Sequence, residues 1–381
     1  MALSNTPQVS HEDLLYISSE STAGTYKLAV ANDFFPHLTF EAEALQDRTL
    51  IPTKTPYPST FFSERGQRIA NWSMEALLQP SGTAGTAPEI DNLLKTVLEE
   101  SISAGVSVTY APLTDPAGVV TLHHFLQSIE TAVIGALPTK FSIKYDELLK
   151  IAIEGLGKDR YVQGKTEVST GGALIGAAIV PVDAPNQLVK NGLVKFGTED
   201  NSGAGYTITK IESTQITVSP VLAAAVSAGD DVEYLQPAWS TITENALTPY
   251  TGTFTFASST YAISKFDLSI DLGNVYIEKL FGEATPVTTK NVKRLAATCS
   301  MDIVLRANEV DEFVNTIRTD TSKAISILFG NTAGSLVEIP LPIVKFEEPK
   351  IGTKEDDLVI LSLSGICFAG SGLDEFSIIF K

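Results

Sequence analysis

Along most of this chain every second residue is apolar, in short runs broken by Gly, Pro, Asn and Asp. Ala297-Thr298-Cys299-Ser300-Met301-Asp302-Ile303-Val304-Leu305 is one such run, and Tyr206 to Ile211 and Gln215 to Val218 are others. A period of two places alternate side chains on opposite faces of a strand, and the breaking residues are those that make turns. The pattern predicts a mainly β protein. Helical spacing occurs in two places. Ile90, Leu93, Leu94 and Val97 predict a helix from about Pro88 to Glu100, with Pro88 in the first turn and Glu89 and Asp91 at the positive end of its dipole. Val310, Phe313, Val314 and Ile317 predict a second, from about Asn308 to Thr319, capped by Asn308.

The two helical runs resemble each other, and so do their surroundings. Ile90 to Val97 matches Val310 to Ile317. Ser73-Met74-Glu75 matches Ser300-Met301-Asp302, and Val106-Ser107-Val108 matches Ile325-Ser326-Ile327. Asp146 to Leu149 and Ile151 to Gly155 match Asp356 to Val359 and Leu361 to Gly365. The order is kept, and the separation between partners only shrinks along the chain. Collinear matches of this kind predict an internal duplication, with copy one running from about Thr25 to Gly157 and copy two from about Thr251 to Lys381. Between the copies, Leu193 to Phe196, Tyr206 to Ile211, Gln215 to Val218 and Asp230 to Tyr234 predict a small β-sandwich or barrel inserted once. The expected division is 1–157, 158–245 and 246–381.

Composition narrows the function. The formal net charge is −18 over 381 residues, so tight binding of nucleic acid, which depends on Lys and Arg at phosphates, is not expected. Cys299 and Cys367 lie in apolar contexts and read as buried free thiols. Met1 to Ser10 has neither the basic start nor the apolar run of a signal peptide. The longest apolar stretch, Leu174 to Val182, is too short to cross a bilayer.

No constellation for catalysis, cofactor or metal stands out. Gly164-Lys165-Thr166 has the ending of a phosphate-binding loop, but Asp159 stands where its first glycine belongs and strand-like sequence follows. The four histidines are His11, His37, His123 and His124. The adjacent pair would point to opposite faces of a strand, with no acid beside them in sequence, so no metal site is expected. Asp230-Asp231 and Asp356-Asp357 sit in turn contexts and read as solvated turn acids. Asn71-Trp72-Ser73 fits a glycosylation pattern but lies mid-strand. No serine has the setting of a nucleophile, and no enzymatic activity is expected.

Both copies have strands with one polar and one apolar face. Asn71, Ser73 and Glu75 share a face opposite Trp72, Met74 and Ala76; Thr298, Ser300 and Asp302 share a face opposite Cys299, Met301 and Ile303. The apolar faces are expected to receive the helices through Leu93 and Val97 or Phe313 and Ile317.

The organisation resembles that of the tail tube proteins of long-tailed bacteriophages. The stretches that carry the resemblance are Thr25 to Val30, Phe266 to Val275, Ala297 to Leu305 with the helix after it, and Ala369 to Ile379. The resemblance covers the two copies. It implies two bent antiparallel β-sheet units, each with one flanking helix, and subunits whose sheets join into rings that stack into a DNA conduit. The polar residues Asn71, Ser73, Glu75, Thr298, Ser300 and Asp302 would then line a negative lumen through which DNA passes without tight binding. Two folds per chain imply trimeric rings with pseudo-sixfold symmetry, hexameric rings being the alternative, with the insert outside. Implied partners are tape measure, baseplate and tail terminator proteins, with assembly in the host cytoplasm and a final place in the virion tail. Other readings are a baseplate hub or terminator of the same fold, and a β-sandwich adhesin or polysaccharide-processing protein.

Overall fold

The structure is a computed structural model that describes residues 13–51, 62–126, 129–238, 247, 252–256, 259–277, 289–291, 295–306, 313, 319–353 and 359–381. The fold is mainly β, made of antiparallel sheets that include one half-barrel.

The first part of the chain holds β1 (Asp13–Ser19), β2 (Phe34–Phe35), β3 (Thr39–Ile51), β4 (Phe62–Leu77), α1 (Asp91–Leu94), β5 (Leu98–Ser103), β6 (Ser107–Pro112), β7 (Val120–Leu126), β8 (Ile129–Tyr145), β9 (Leu149–Gly157) and β10 (Asp159–Gln163). Strand β8 is long enough to serve two layers. Its first half pairs with β7 and β10, and its second half with β9. Strand β9 continues to β4 and β4 to β3, while β7 continues to β1 and β1 to β2. The predicted helix of Pro88 to Glu100 is only one turn. From Leu98 the chain is a strand, because Leu98 and Ile102 find ladder partners in Pro112 and Val108, and tertiary pairing outweighs a weak helical preference. Thr96 aids the exit, since its hydroxyl donates to the Leu93 carbonyl at 2.7 Å and competes with the helix ladder. Thr25 to Val30, one of the stretches that carry the resemblance, forms no strand. Its groups are taken by side chains: the Tyr26 hydroxyl donates to Glu130 and the Lys27 carbonyl faces His123.

Next come β11 (Thr166–Glu167), β12 (Ile179–Pro181), β13 (Leu193–Phe196), β14 (Tyr206–Ile211), β15 (Gln215–Ser219) and β16 (Asp231–Tyr234). They form one sheet in the order β11-β16-β13-β14-β15-β12. Its end strands meet through the Val168–Val182 bridge and the Ser169 N–H donating to the Pro181 carbonyl, so the sheet closes into a small barrel. Val180, Val194, Phe196, Tyr206, Ile208, Ile216 and Val232 fill it, and Tyr16, Phe34 and Phe125 of the first part extend the same cluster. The barrel begins at Thr166, after β10, which belongs to the first copy by its pairing with β8; the expected boundary at 158 therefore moves.

The last part holds β17 (Thr253–Phe256), β18 (Ser259–Tyr261), β19 (Ile263–Asp271), β20 (Asn274–Tyr276), β21 (Thr289–Asn291), β22 (Ala296–Val304), β23 (Lys323–Phe329), β24 (Val337–Phe346), β25 (Lys350–Thr353), β26 (Val359–Cys367) and β27 (Ile378–Phe380). It repeats the ladders of the first part. The pairs β1–β2, β1–β7, β3–β4, β4–β9, β7–β8, β8–β9 and β8–β10 recur as β17–β18, β17–β23, β19–β22, β22–β26, β23–β24, β24/β25–β26 and β24–β27.

The register repeats as well. Met74 lies between Phe40 and Ile153, as Met301 lies between Phe266 and Leu363. Gly155 faces Trp72 and Pro138, as Gly365 faces Cys299 and Phe346. Both glycines lie where the bent strand crosses between layers. A Cβ would fall 2.3 Å from the Trp72 ring at Gly155 and 2.8 Å from a Val344 methyl at Gly365. Only a residue without a side chain fits such a close approach. One sequence match is displaced: Ile325 to Ile327 lie on β23, whose counterpart is β7, whereas Val108 lies on β6. Among the described residues copy two has no counterpart of the β5–β6 hairpin, and the separation between partners does not shrink steadily.

Phe313 is helical and fully buried, with ring centroids 4.8 Å from both Phe256 and Tyr261. Of the rest of the predicted second helix, Asn308, Val310, Val314 and Ile317 lie outside the described residues, as does Asp356-Asp357, and Thr319 lies in a turn. Cys299 and Cys367 are buried and free. Contact with the Cys367 sulfur, together with burial, pushes the Cys299 thiol far above its ordinary range. No helix among the described residues is long and apolar enough to cross a membrane.

Candidate functional site: a polar sheet face with two free edges

The two copies share one sheet. Strand β8 pairs with β19 from Tyr145–Phe266 to Lys140–Asp271, giving the continuous order β3-β4-β9-β8-β19-β22-β26-β25. A second cross-copy ladder, β6 with β27, ties the outer layer. One face of the long sheet is apolar. Trp72, Met74, Leu93, Val97, Met301 and Phe313 all belong to the single core that spans both copies.

The other face is polar. Asn71, Ser73 and Glu75 are half-buried on it; Thr298 and Ser300 are exposed and Asp302 half-buried. Its charges are mixed. Glu41, Glu43 and Glu75 lie on β3 and β4, Lys150 and Glu154 on β9, Lys140 and Lys144 on β8, Lys265, Asp267 and Asp271 on β19, and Asp302 on β22. Lys150 reaches Glu75 at 3.6 Å, and Ser362 donates to Asp302 at 2.7 Å. The face therefore carries a small acidic excess, and most of the net negative charge sits elsewhere. A shallow groove of about 660 Å3 runs over Glu41, Glu43, Asn71, Ser73, Thr139 and Glu154.

Each end of this sheet stops at an edge. Among the described residues β3 pairs with β4 alone, and β25 with β26 alone. All four residues of β25 are exposed, Ile351 at 57%. Such an edge offers unpaired N–H and C=O groups to another chain. By pairing, β3 is the counterpart of β19, and β25 of the second half of β8. The free edges are therefore equivalent to the two strands already joined inside the chain. Sequence reading missed this join, because β8 and β19 are separated by the whole inserted barrel.

The fold places the described motifs discounted from sequence as follows. Thr166 opens β11, and Lys165 pairs with Asp231. Asp230 accepts from the Ser227 N–H in a turn. His123 and His124 do point to opposite faces. His123 is fully enclosed, with Nδ1 2.6 Å from Glu130 and Nε2 2.7 Å from the Lys27 carbonyl. Glu130 also accepts from the Tyr26 hydroxyl, so His123, Glu130 and Tyr26 form one enclosed polar cluster. His124 and His37 both approach Asp13, and burial holds the His37 imidazole below its ordinary value.

No protein-family model matches the chain, and comparison with curated proteins finds no match.

Proposed function

We propose that the chain is a structural virion subunit, the tail tube protein of a long-tailed bacteriophage, which polymerises into stacked rings that conduct DNA. The observation that carries this reading is the β8–β19 join together with free edges equivalent to it. A joint that works once inside the chain can be repeated between chains, β25 of one subunit adding to β3 of the next. This contact is heterologous, and such contacts close into rings when the rotation allows.

The register of the intermolecular joint follows from the internal one. Ser269 faces Ser142 across β19 and β8. Glu43 takes the place of Ser269, since it faces Asn71 as Ser269 faces Thr298. Lys350 takes the place of Ser142, since it faces Ser362 as Ser142 faces Ala152. Glu43 of one subunit thus meets Lys350 of the next, an opposite-charge pair suited to set register. One step along, Ile351 meets Ala42 on the apolar face, as Ile143 meets Leu268 inside the chain.

Each chain carries two copies, so three chains supply the sheet that six single-copy subunits would supply, with pseudo-sixfold symmetry inside. The polar face lines the lumen. Its near-balanced charges neither hold phosphates nor expel them strongly, which suits passage of DNA. The barrel occurs once per chain and sits outside. Tape measure, baseplate and terminator proteins meet the tube at its ends. Sedimentation of the purified chain at high concentration tests the reading. Rings or tubes are expected, and a strict monomer across a range of salt would refute it.

A further inference from the structure

Three side chains remote in sequence converge at one end of the β2-β1-β7 sheet, away from the polar face. Asp13 opens β1, His124 lies on β7, and His37 lies between β2 and β3. His37 Nε2 is 3.1 Å and His124 Nε2 2.7 Å from the same oxygen of Asp13. All three ligand atoms lie within 4.8 Å of one another. The imidazoles are nearly buried, with side-chain exposures of 6% and 11%, while Asp13 at 44% leaves the cluster open on one side.

We propose that Asp13, His37 and His124 form a binding site for a divalent transition-metal ion such as zinc, which clips the start of β1 to β7 and to the chain entering β3. Two imidazole nitrogens and one carboxylate are a donor set that suits zinc, cobalt, nickel or copper and leaves a position for water. With bonds of about 2.0–2.1 Å, ligands around tetrahedral zinc stand roughly 3.3 Å apart. The two nitrogen–oxygen separations, 3.1 and 2.7 Å, are close to that spacing. The rings are held ready for it. His124 is fixed edge-on to His37 at 5.8 Å and against Phe40 at 4.9 Å. This inference is independent of the tube reading.

The test uses the full chain without an affinity tag. After equilibration with zinc and dialysis into metal-free buffer, elemental analysis is expected to find about one zinc per chain. Zinc is expected to raise the thermal midpoint by several degrees, because an ion bound only to the folded state stabilises it, and chelator to reverse this. His37→Gln and Asp13→Asn are each expected to lose the retained zinc and the shift, while melting like the parent chain in chelator. The same melting in chelator separates loss of the site from loss of the fold. No retained zinc would show a hydrogen-bonded trio only. Retention unchanged in both variants would place the metal elsewhere; either result overturns the proposal.

Discussion

Lys144 on β8 and Asp267 on β19 stand opposite each other, their charged ends 4.0 Å apart, across the strand pair that joins the two copies. The proposed joint between subunits places its charged pair two residues further along, at Glu43 and Lys350, the equivalents of Ser269 and Ser142. An exposed pair contributes only about 0.2–1 kcal/mol, but in the proposed ring it would recur at every subunit contact. Glu43→Lys or Lys350→Glu alone places like charges opposite each other. Each is expected to raise the concentration needed for assembly several-fold, measured by sedimentation. The double exchange is expected to restore assembly. Failure of the exchange to rescue would place the joint in another register.

Phe313 of copy two packs against Phe256 and Tyr261. Phe313→Ala is expected to cost about 3–5 kcal/mol, as for a buried aromatic in a packed core. Urea unfolding measures it. A change below roughly 1 kcal/mol would mean that the second copy's core does not depend on this ring.

Glu75 and Asp302 are register equivalents on the polar face. Glu75→Lys with Asp302→Lys turns the small acidic excess of that face into a basic one. Assembly is expected to persist, since neither residue lies on a free edge, while DNA ejection from phage carrying both changes slows through added phosphate attraction. Ejection at the unaltered rate would remove these residues from the lumen.

Much of the duplication was legible because it leaves local marks. Alternation on β4 and β22 gave the two faces, and Ser73-Met74-Glu75 and Ser300-Met301-Asp302 lie in register in the fold. Gly155 and Gly365 match because both sit where a bent strand passes too close for a side chain. The first helix was overread, since helical spacing at Ile90 to Val97 says nothing of the β6 partner that turns Leu98 to Ser103 into a strand. Val108 was paired with the wrong strand for a related reason. The β5–β6 hairpin alternates like any other, and only the strand pairings place Val108 on β6 and Ile327 on the counterpart of β7. The β8–β19 join and the meeting of Asp13, His37 and His124 depend on contacts between distant segments. Neither leaves a signal in local spacing.

The central claim is that the internal joint repeats between chains, and electron cryo-microscopy of the assembled protein, reconstructed without imposed symmetry, tests it most directly. Three chains per ring are expected, with a continuous sheet running from β25 of each subunit into β3 of the next and three barrels projecting outside. Six chains per ring with six equivalent barrels, or rings in which β3 and β25 remain unpaired, would contradict it.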